Sequence, residues 1–258
     1  MTARAMLRVE GLSRHFGGVY AVRDVSLEVQ AGELRGVIGP NGAGKSTLFN
    51  LISGHLEPDS GAVHFGGSRI DRLSPHERAR RGMSIVFQGA RIFRGMTVRE
   101  NVMVGAHART RHGFWEAALR LPRHRREERA IRASADAALD LVGLTAWADR
   151  MAETLPVGQQ RSMQMARALC AEPSLLLLDE PASGLRAGER QVLAALIDSL
   201  HRRGVSMMLV EHDVAFVTRL ADRITVLVLG QVLAEGTPDA IRRDERVVTA
   251  YLGKESVP

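Results

Sequence analysis

The chain has little of three things, and each shortage excludes something. One cysteine, Cys170, stands among 258 residues, so no internal disulfide can form and a reducing compartment is expected. Apolar runs such as S-L-L-L-L-D and I-T-V-L-V-L-G fall far short of the roughly 20 residues that span a bilayer. The opening M-T-A-R-A-M-L-R-V-E lacks the apolar stretch of a signal peptide. These absences predict a soluble, cytosolic protein. Lysine is nearly missing too: Lys45 and Lys254 are the two, and arginine carries the net charge of +6. That balance suits an anionic partner (nucleotide, nucleic acid or lipid surface), or it is the solvated basic face of an arginine-biased composition.

What is present is a globular composition, 45% apolar and 25% charged, enough for one large domain or two small ones. Residues 20–30, Y-A-V-R-D-V-S-L-E-V-Q, place Val25, Leu27 and Val29 at period two, which predicts a half-exposed strand. L-R-G-V-I-G reads as a buried parallel strand and K-S-T-L-F-N-L-I-S as a helix. Residues 61–71 suggest small antiparallel strands with glycine turns. Between about 97 and 154 the texture turns helical and charged, and after 172 short apolar runs alternate with helices. The pattern predicts an α/β core interrupted by an all-α insert, with a small antiparallel layer near the N-terminus.

Lys45 closes G39-P-N-G-A-G-K45-S46, which fits G-x-x-x-x-G-K-[ST] between a strand and a helix. The glycines let backbone N–H groups wrap phosphate oxygens. Lys45 supplies charge to the outer phosphates, and the Ser46 hydroxyl can ligate Mg²⁺. Downstream, L175-L-L-L-D179-E180 ends a buried strand in two acids. Asp179 suits the Mg²⁺ shell, and Glu180 suits a general base that polarises water against the γ-phosphate. L155-P-V-G-Q-Q-R followed by S-M-Q-M-A-R-A-L-C-A reads as a helix start, with free N–H groups and a positive dipole end.

In these residues the chain resembles the ATPase subunit of an ATP-binding cassette (ABC) transporter, over nearly its whole length. The resemblance implies a P-loop NTPase (RecA-like) α/β core with an N-terminal antiparallel β subdomain and an all-helical insert subdomain. It implies one cassette domain over 1–258, with the core about 1–90 and 158–258 and the helical subdomain about 91–157. Phe16 in R-H-F-G-G matches the aromatic that stacks on adenine, with Val22 beside it. Asn41, Gly42, Ala43, Gly44, Lys45, Ser46 and Thr47 would surround the phosphates. Gln88 in I-V-F-Q matches the glutamine linking the catalytic magnesium to the helical subdomain, so Ser46, Gln88 and Asp179 form the implied metal set. His212 in L-V-E-H-D matches the histidine at the γ-phosphate and joins Glu180 and Gln88 as catalytic residues. Such ATPases pair head to tail, so Gly158 and Gln159 of the signature loop would meet ATP held by the other subunit.

A narrower resemblance is to the ATPases that energise branched-chain amino acid uptake, the first of the two in such systems. It rests on F-G-G-V-Y-A-V-R-D-V-S-L, on Q-Q-R in the signature, on the insert around H112-G-F-W and R123-H-R-R-E-E, and on L-A-E-G-T-P-D-A-I-R-R-D-E-R-V-V-T-A-Y-L-G. It implies ATP and Mg²⁺ as cofactors and a second ABC ATPase, the same or different, as dimer partner. It further implies two permease subunits, an external substrate-binding protein, and a place on the inner face of the cell membrane. Urea or amide importers and lipid or lipopolysaccharide export ATPases are the neighbouring readings. A lipid exporter would be expected to read G-G-E where this chain has V-G-Q-Q.

Two positions depart from the family pattern. Pro156 stands where a serine would offer a hydroxyl and an N–H, and proline has neither, although it pre-forms a helix start. Arg186 stands where Asp or Asn is usual, and its guanidinium could contact phosphate, the partner or solvent. The basic insert (Arg109, Arg111, Arg120, Arg123, Arg125, Arg126, Arg129, Arg132) is broken by Glu127 and Glu128 and lacks interleaved aromatics, which argues against nucleic acid. It suits a surface near headgroups or membrane subunits. Trp115 and Trp147 read as core or subdomain-interface residues, at least one of Met163 and Met165 as packing, and Cys170 as a small buried hydrophobe. His107 and His124 lack paired ligand spacing, so no zinc site is expected.

Overall fold

A computed structural model describes residues 5–89, 91–109 and 122–252. The chain opens with β1 (Leu7–Phe16) and β2 (Val19–Val29), paired antiparallel. The expected alternation is realised: Val25, Leu27 and Val29 are buried while Asp24, Ser26 and Glu28 are exposed. β3 (Leu34–Ile38) is buried at every position. Its Arg35 is held between Glu33 and Glu235, at 2.7 and 2.5 Å. A glycine-rich loop leads into α1 (Lys45–Ser53), and β4 (Ser60–Phe65) and β5 (Ser68–Arg69) complete an antiparallel sheet in the order β2-β1-β4-β5. α2 (Pro75–Arg80) and β6 (Met83–Val86) follow.

The helical stretch holds α3 (Val98–Met103), a 3₁₀ segment Val104–Arg109, and α4 (Pro122–Leu141). Short turns Thr145–Trp147 and Ala152–Thr154 lead into α5 (Val157–Cys170). One strand-like bridge, Thr97 to Met151, closes the base of this stretch. Then come β7 (Leu175–Asp179), α6 (Ala187–Arg202), β8 (Ser206–Val210), α7 (Val214–Leu220), β9 (Arg223–Val228), β10 (Gln231–Gly236), α8 (Pro238–Arg243) and α9 (Glu245–Leu252).

The second sheet runs β10-β9-β3-β8-β7-β6, parallel except for β10. This order positions the chemistry. Val37 of β3 pairs with Val210 of β8, and Val210 pairs with Asp179 of β7. The loops after β3, β7 and β8 therefore leave one edge of the sheet side by side. In open α/β sheets that carboxyl edge is where ligands bind.

Apolar cores lie on both faces of this sheet. Leu48, Phe49, Leu51 and Ile52 of α1 pack with the inward residues of β1, β2 and β4. On the other face, α3 to α7 share a core that includes Met163, Met165 and Cys170. Trp147 packs against it from the edge, with the Arg150 guanidinium 4.4 Å from its ring centroid. Each fully buried Leu or Met side chain contributes roughly 1.5–3 kcal/mol relative to exposure. Of the insert's arginines, Arg126, Arg129 and Arg132 are exposed on α4. The side chains of Arg109, Arg111, Arg120, Arg123 and Arg125, and those of His112, Trp115 and His124, lie outside the described residues.

One buried cation supports the site from below. Arg78 donates to the Leu51 and Ile52 carbonyls at 2.8 and 2.5 Å, and to Asp71 and Leu73 carbonyls at 3.0 and 2.9 Å. A charge thus meets the negative end of α1, and burial pulls the guanidinium pKa down to about 10. Among the described residues no helix is long and apolar enough to cross a membrane.

Candidate functional site

The loop between β3 and α1 is shaped by close approaches that only glycine allows. A Cβ on Gly39 would lie 2.3 Å from the Leu227 carbonyl oxygen. Gly44 caps α1 at φ +97°, and its Cβ would lie 2.2 Å from the Ala21 oxygen. The loop is braced from outside, because Gly230 N–H donates to Ala43 O at 3.0 Å and Arg23 N–H to Gly230 O at 2.8 Å. Lys45 is buried, and its Nζ donates to Gly39 O at 2.7 Å and Pro40 O at 3.2 Å. Its charge is thereby pinned over the loop.

Asn41, Gly42 and Ser46 are exposed, and Gly44 and Thr47 are half-buried. The Ala43 N–H donates within the loop to Pro40 O at 3.1 Å. Phe16 ends β1 half-exposed, with the Arg14 guanidinium 5.3 Å from its centroid. Val22, grouped with Phe16 by resemblance, has no exposed surface. It supports the loop from within the core and presents no face to a base.

Across the edge, β7 delivers Asp179 and Glu180. Glu180 takes φ +44°, a left-handed conformation that costs a non-glycine residue about 1–2 kcal/mol. Its N–H is tied to Val210 O at 2.9 Å. The Gln88 amide Nε2 donates to Glu180 Oε2 at 2.7 Å, and His212 Nδ1 lies 3.7 Å from the same oxygen. Gln88, Glu180 and His212 therefore converge on one point although 124 residues separate the first from the last. Burial and the neighbouring Glu180 push the Asp179 carboxyl up to about 6, offset in part by Lys45. Two adjacent acids against one lysine leave a local excess of negative charge. The Asp179 carboxylate, the Ser46 hydroxyl and the amide oxygen of Gln88 are hard oxygen donors of the type that suits Mg²⁺.

Sequence reasoning passed over Glu211, which stands beside His212 in L-V-E-H-D. Its buried carboxylate accepts from Ala182 N–H at 2.9 Å and from His212 N–H at 3.3 Å. Burial raises its pKa, against the pull of those bonds and of His212. Nothing in the sequence marks this acid as interior.

The signature stretch has a different geometry. Pro156 is the N-cap of α5 with φ −54°, and no side chain caps the helix. The Gly158 N–H donates to Glu189 Oε1 at 3.2 Å. The other carboxylate oxygen of Glu189 accepts from Arg186 N–H at 3.0 Å. The side-chain amide Oε1 of Gln159 is buried without a hydrogen-bond partner, and Gln160 Nε2 donates to Leu155 O at 2.8 Å. Arg186 is exposed at the N-cap of α6. Glu189, which the sequence gave no reason to single out, joins the two helix starts.

The chain is similar to known proteins over nearly its whole length. The family model for ABC transporters matches residues 22–183, and that for the branched-chain amino acid ATP-binding cassette transporter matches residues 231–257. The chain is 41% identical over 253 residues to the high-affinity branched-chain amino acid transport ATP-binding protein BraF of Pseudomonas aeruginosa, covering 98% of this chain and 99% of that one. It is 38% identical over the same shares to LivG of Escherichia coli, which carries the same description. The lipopolysaccharide export system ATP-binding protein LptB of Haemophilus influenzae is 33% identical, over 97% of this chain and 98% of that one. Among solved structures, a nucleotide-free ATP-binding cassette from an ABC transporter superposes with a TM-score of 0.83 at 30% identity, covering 96% of this chain and 99% of that chain. A dimeric structure of a bacterial ABC transporter cassette gives 0.74 at 26% identity, covering 90% and 99%.

Proposed function

The chain belongs to the ABC transporter family, and we propose that it is the ATP-hydrolysing subunit that energises uptake of branched-chain or related amino acids. The observation that carries the hydrolytic reading is the meeting of Gln88, Glu180 and His212 at the mouth of a glycine loop that pins Lys45. The importer reading over lipid export is supported by the C-terminal match over residues 231–257 and by V-G-Q-Q at the signature.

In this reading the loop N–H groups and Lys45 hold the phosphates of ATP, and Phe16 lies against the base. Ser46, Asp179 and Gln88 would hold Mg²⁺, which when bound neutralises charge on the outer phosphates. Glu180 polarises water for attack, and His212 donates toward the γ-phosphate. A second ABC ATPase closes the site by bringing its signature helix to this chain's ATP, while Gly158 and Gln159 serve the partner's. The core runs about 1–90 and 158–258, and the helical subdomain about 91–157. ATP joins the pair and hydrolysis releases it.

Phe93, Met96 and Met151 are exposed apolar residues, and Met96 O accepts from Ala152 N–H at 3.0 Å. They lie beside the segment that begins at Gln88 and form the surface we assign to permease subunits. Those subunits hold the chain at the inner membrane face, and an external binding protein delivers the amino acid to them.

The test is Glu180→Gln, assayed with the partner subunits. Hydrolysis should fall about 100- to 10,000-fold, the range of general-base catalysis, while ATP binding survives and closed pairs accumulate. Wild-type turnover in that variant would remove Glu180 from the role of base.

A further inference from the structure

We infer that Glu211 is a positioning residue for hydrolysis, holding the segments on either side of Glu180 through one buried carboxylate. It follows β8 at the carboxyl edge and is 1% exposed. Its N–H donates to Val37 O at 3.2 Å, on the strand that feeds the phosphate loop. One carboxylate oxygen takes the Ala182 N–H, two residues beyond Glu180, at 2.9 Å. The other takes the His212 N–H at 3.3 Å and lies 3.6 Å from His212 Nδ1. The groups that flank the attacking water in the proposed site thus share one anchor.

A buried carboxylate needs a balancing charge, or it is costly. Arg161 of α5, itself buried, is close enough for the two charges to attract, and the Ala182 and His212 N–H groups hold the carboxylate directly. Its guanidinium donates to Ser183 O and to Gln164 Oε1, both at 3.3 Å, while its Nε has no hydrogen-bond partner. Gln164 Nε2 in turn donates to Gly89 O at 2.6 Å, next to Gln88. Polar contacts therefore run from Glu211 through Ala182 and Ser183 to Arg161, Gln164 and Gly89. The Gln88–Glu180 bond returns them to the catalytic acid. A shift at α5 moves this ring, so Glu211 sets where Glu180 and His212 stand while leaving ATP's own contacts at Lys45 untouched.

This rests on Glu180 being the base, and the experiment separates the two claims. Steady-state hydrolysis by the full chain with its partner subunits is compared with equilibrium binding of a fluorescent ATP analogue. Glu211→Ala should lower kcat about tenfold with analogue affinity within about twofold. Glu211→Gln, which keeps an acceptor for Ala182 but loses the charge, should lower it about threefold. Arg161→Gln combined with Glu211→Gln should be no worse than Arg161→Gln alone, because the pair is coupled. Unchanged kcat, affinity falling in step with kcat, or additive effects in the double variant would each overturn the assignment. If Glu211→Ala does not fold, Glu211→Gln and the double variant carry the test alone. Should Glu180→Gln retain turnover, the parent reading fails and this one with it. Loss of turnover there with normal kcat at the Glu211 variants sinks this proposal only.

Discussion

Two helix starts in this chain offer N–H groups to an anion, and they are built in opposite ways. At α1 the glycine loop is braced by Gly230 and Arg23, and Lys45 is fixed over it by two carbonyls of the loop itself. At α5 the cap is Pro156, which brings neither hydroxyl nor N–H, and the Gly158 N–H is already given to Glu189 of the same chain. The first start is complete within one subunit. The second carries an internal anion where a phosphate from another subunit is proposed to dock. Under the proposed function, the first start offers its N–H groups as it stands, whereas the second exchanges the Glu189 carboxylate for the partner's phosphate.

The largest effect should come from breaking the complete side of that comparison. Lys45→Ala removes a charge-assisted bond worth about 1.5–3 kcal/mol, or about 10- to 150-fold in ATP affinity. Calorimetry on the isolated chain reads it directly, and unchanged affinity would contradict the cradle assignment.

Asp179 tests the electrostatics beside that loop. Its folded pKa of about 6 lies above the ordinary 3.8, so between those values the folded chain binds more protons than the unfolded one. Stability without nucleotide therefore declines as pH rises from about 4 to about 6, and stays lower above that. Asp179→Asn should melt about 2–4 °C higher than wild type at pH 8, with the gap closing toward pH 4, although hydrolysis is lost. A gap that does not depend on pH would mean the strain is not electrostatic.

How much of this was readable beforehand differs between the two starts for a physical reason. The loop from Gly39 to Ser46, the Asp179–Glu180 pair, Gln88 and His212 all stand out in the sequence as candidates, and the structure brings Gln88, Glu180 and His212 together. Phosphate chemistry fixes their residue types, and the local spacing carries the fold context. Strand order was not legible: nothing in L-L-L-L-D says that β8 separates it from β3. The supporting charges escaped as well. Arg78 reaches back 27 residues to Leu51, Glu211 reaches 29 to Ala182, and Glu189 reaches 31 to Gly158. A charged residue in a sequence reads as surface until the packing that buries it is known. Val22 errs the other way, because a residue named for a ligand sits wholly in the core.

On the covered side, Pro156→Ser restores a capping hydroxyl, typically worth about 1 kcal/mol, and should raise turnover by up to about fivefold. The gain belongs to the site in the partner's loop, so it appears in both sites of a homodimer and in one site of a heterodimer. A fall in turnover would instead make proline the residue to which this interface is adapted.

The smallest and sharpest test separates the two starts. Glu189→Gln removes the charge beside Gly158 but keeps an amide oxygen for the Arg186 N–H. The contact is partly exposed, where ion pairing contributes under about 1 kcal/mol. The ATP concentration for half-maximal pairing, followed by light scattering in a Glu180→Gln background, should drop by about threefold. ATP affinity of the unpaired chain should not move, because α1 and its loop do not touch Glu189. If pairing instead demands more ATP, Glu189 is a brace that the α5 start requires, and the internal anion helps the partner's phosphate find its place.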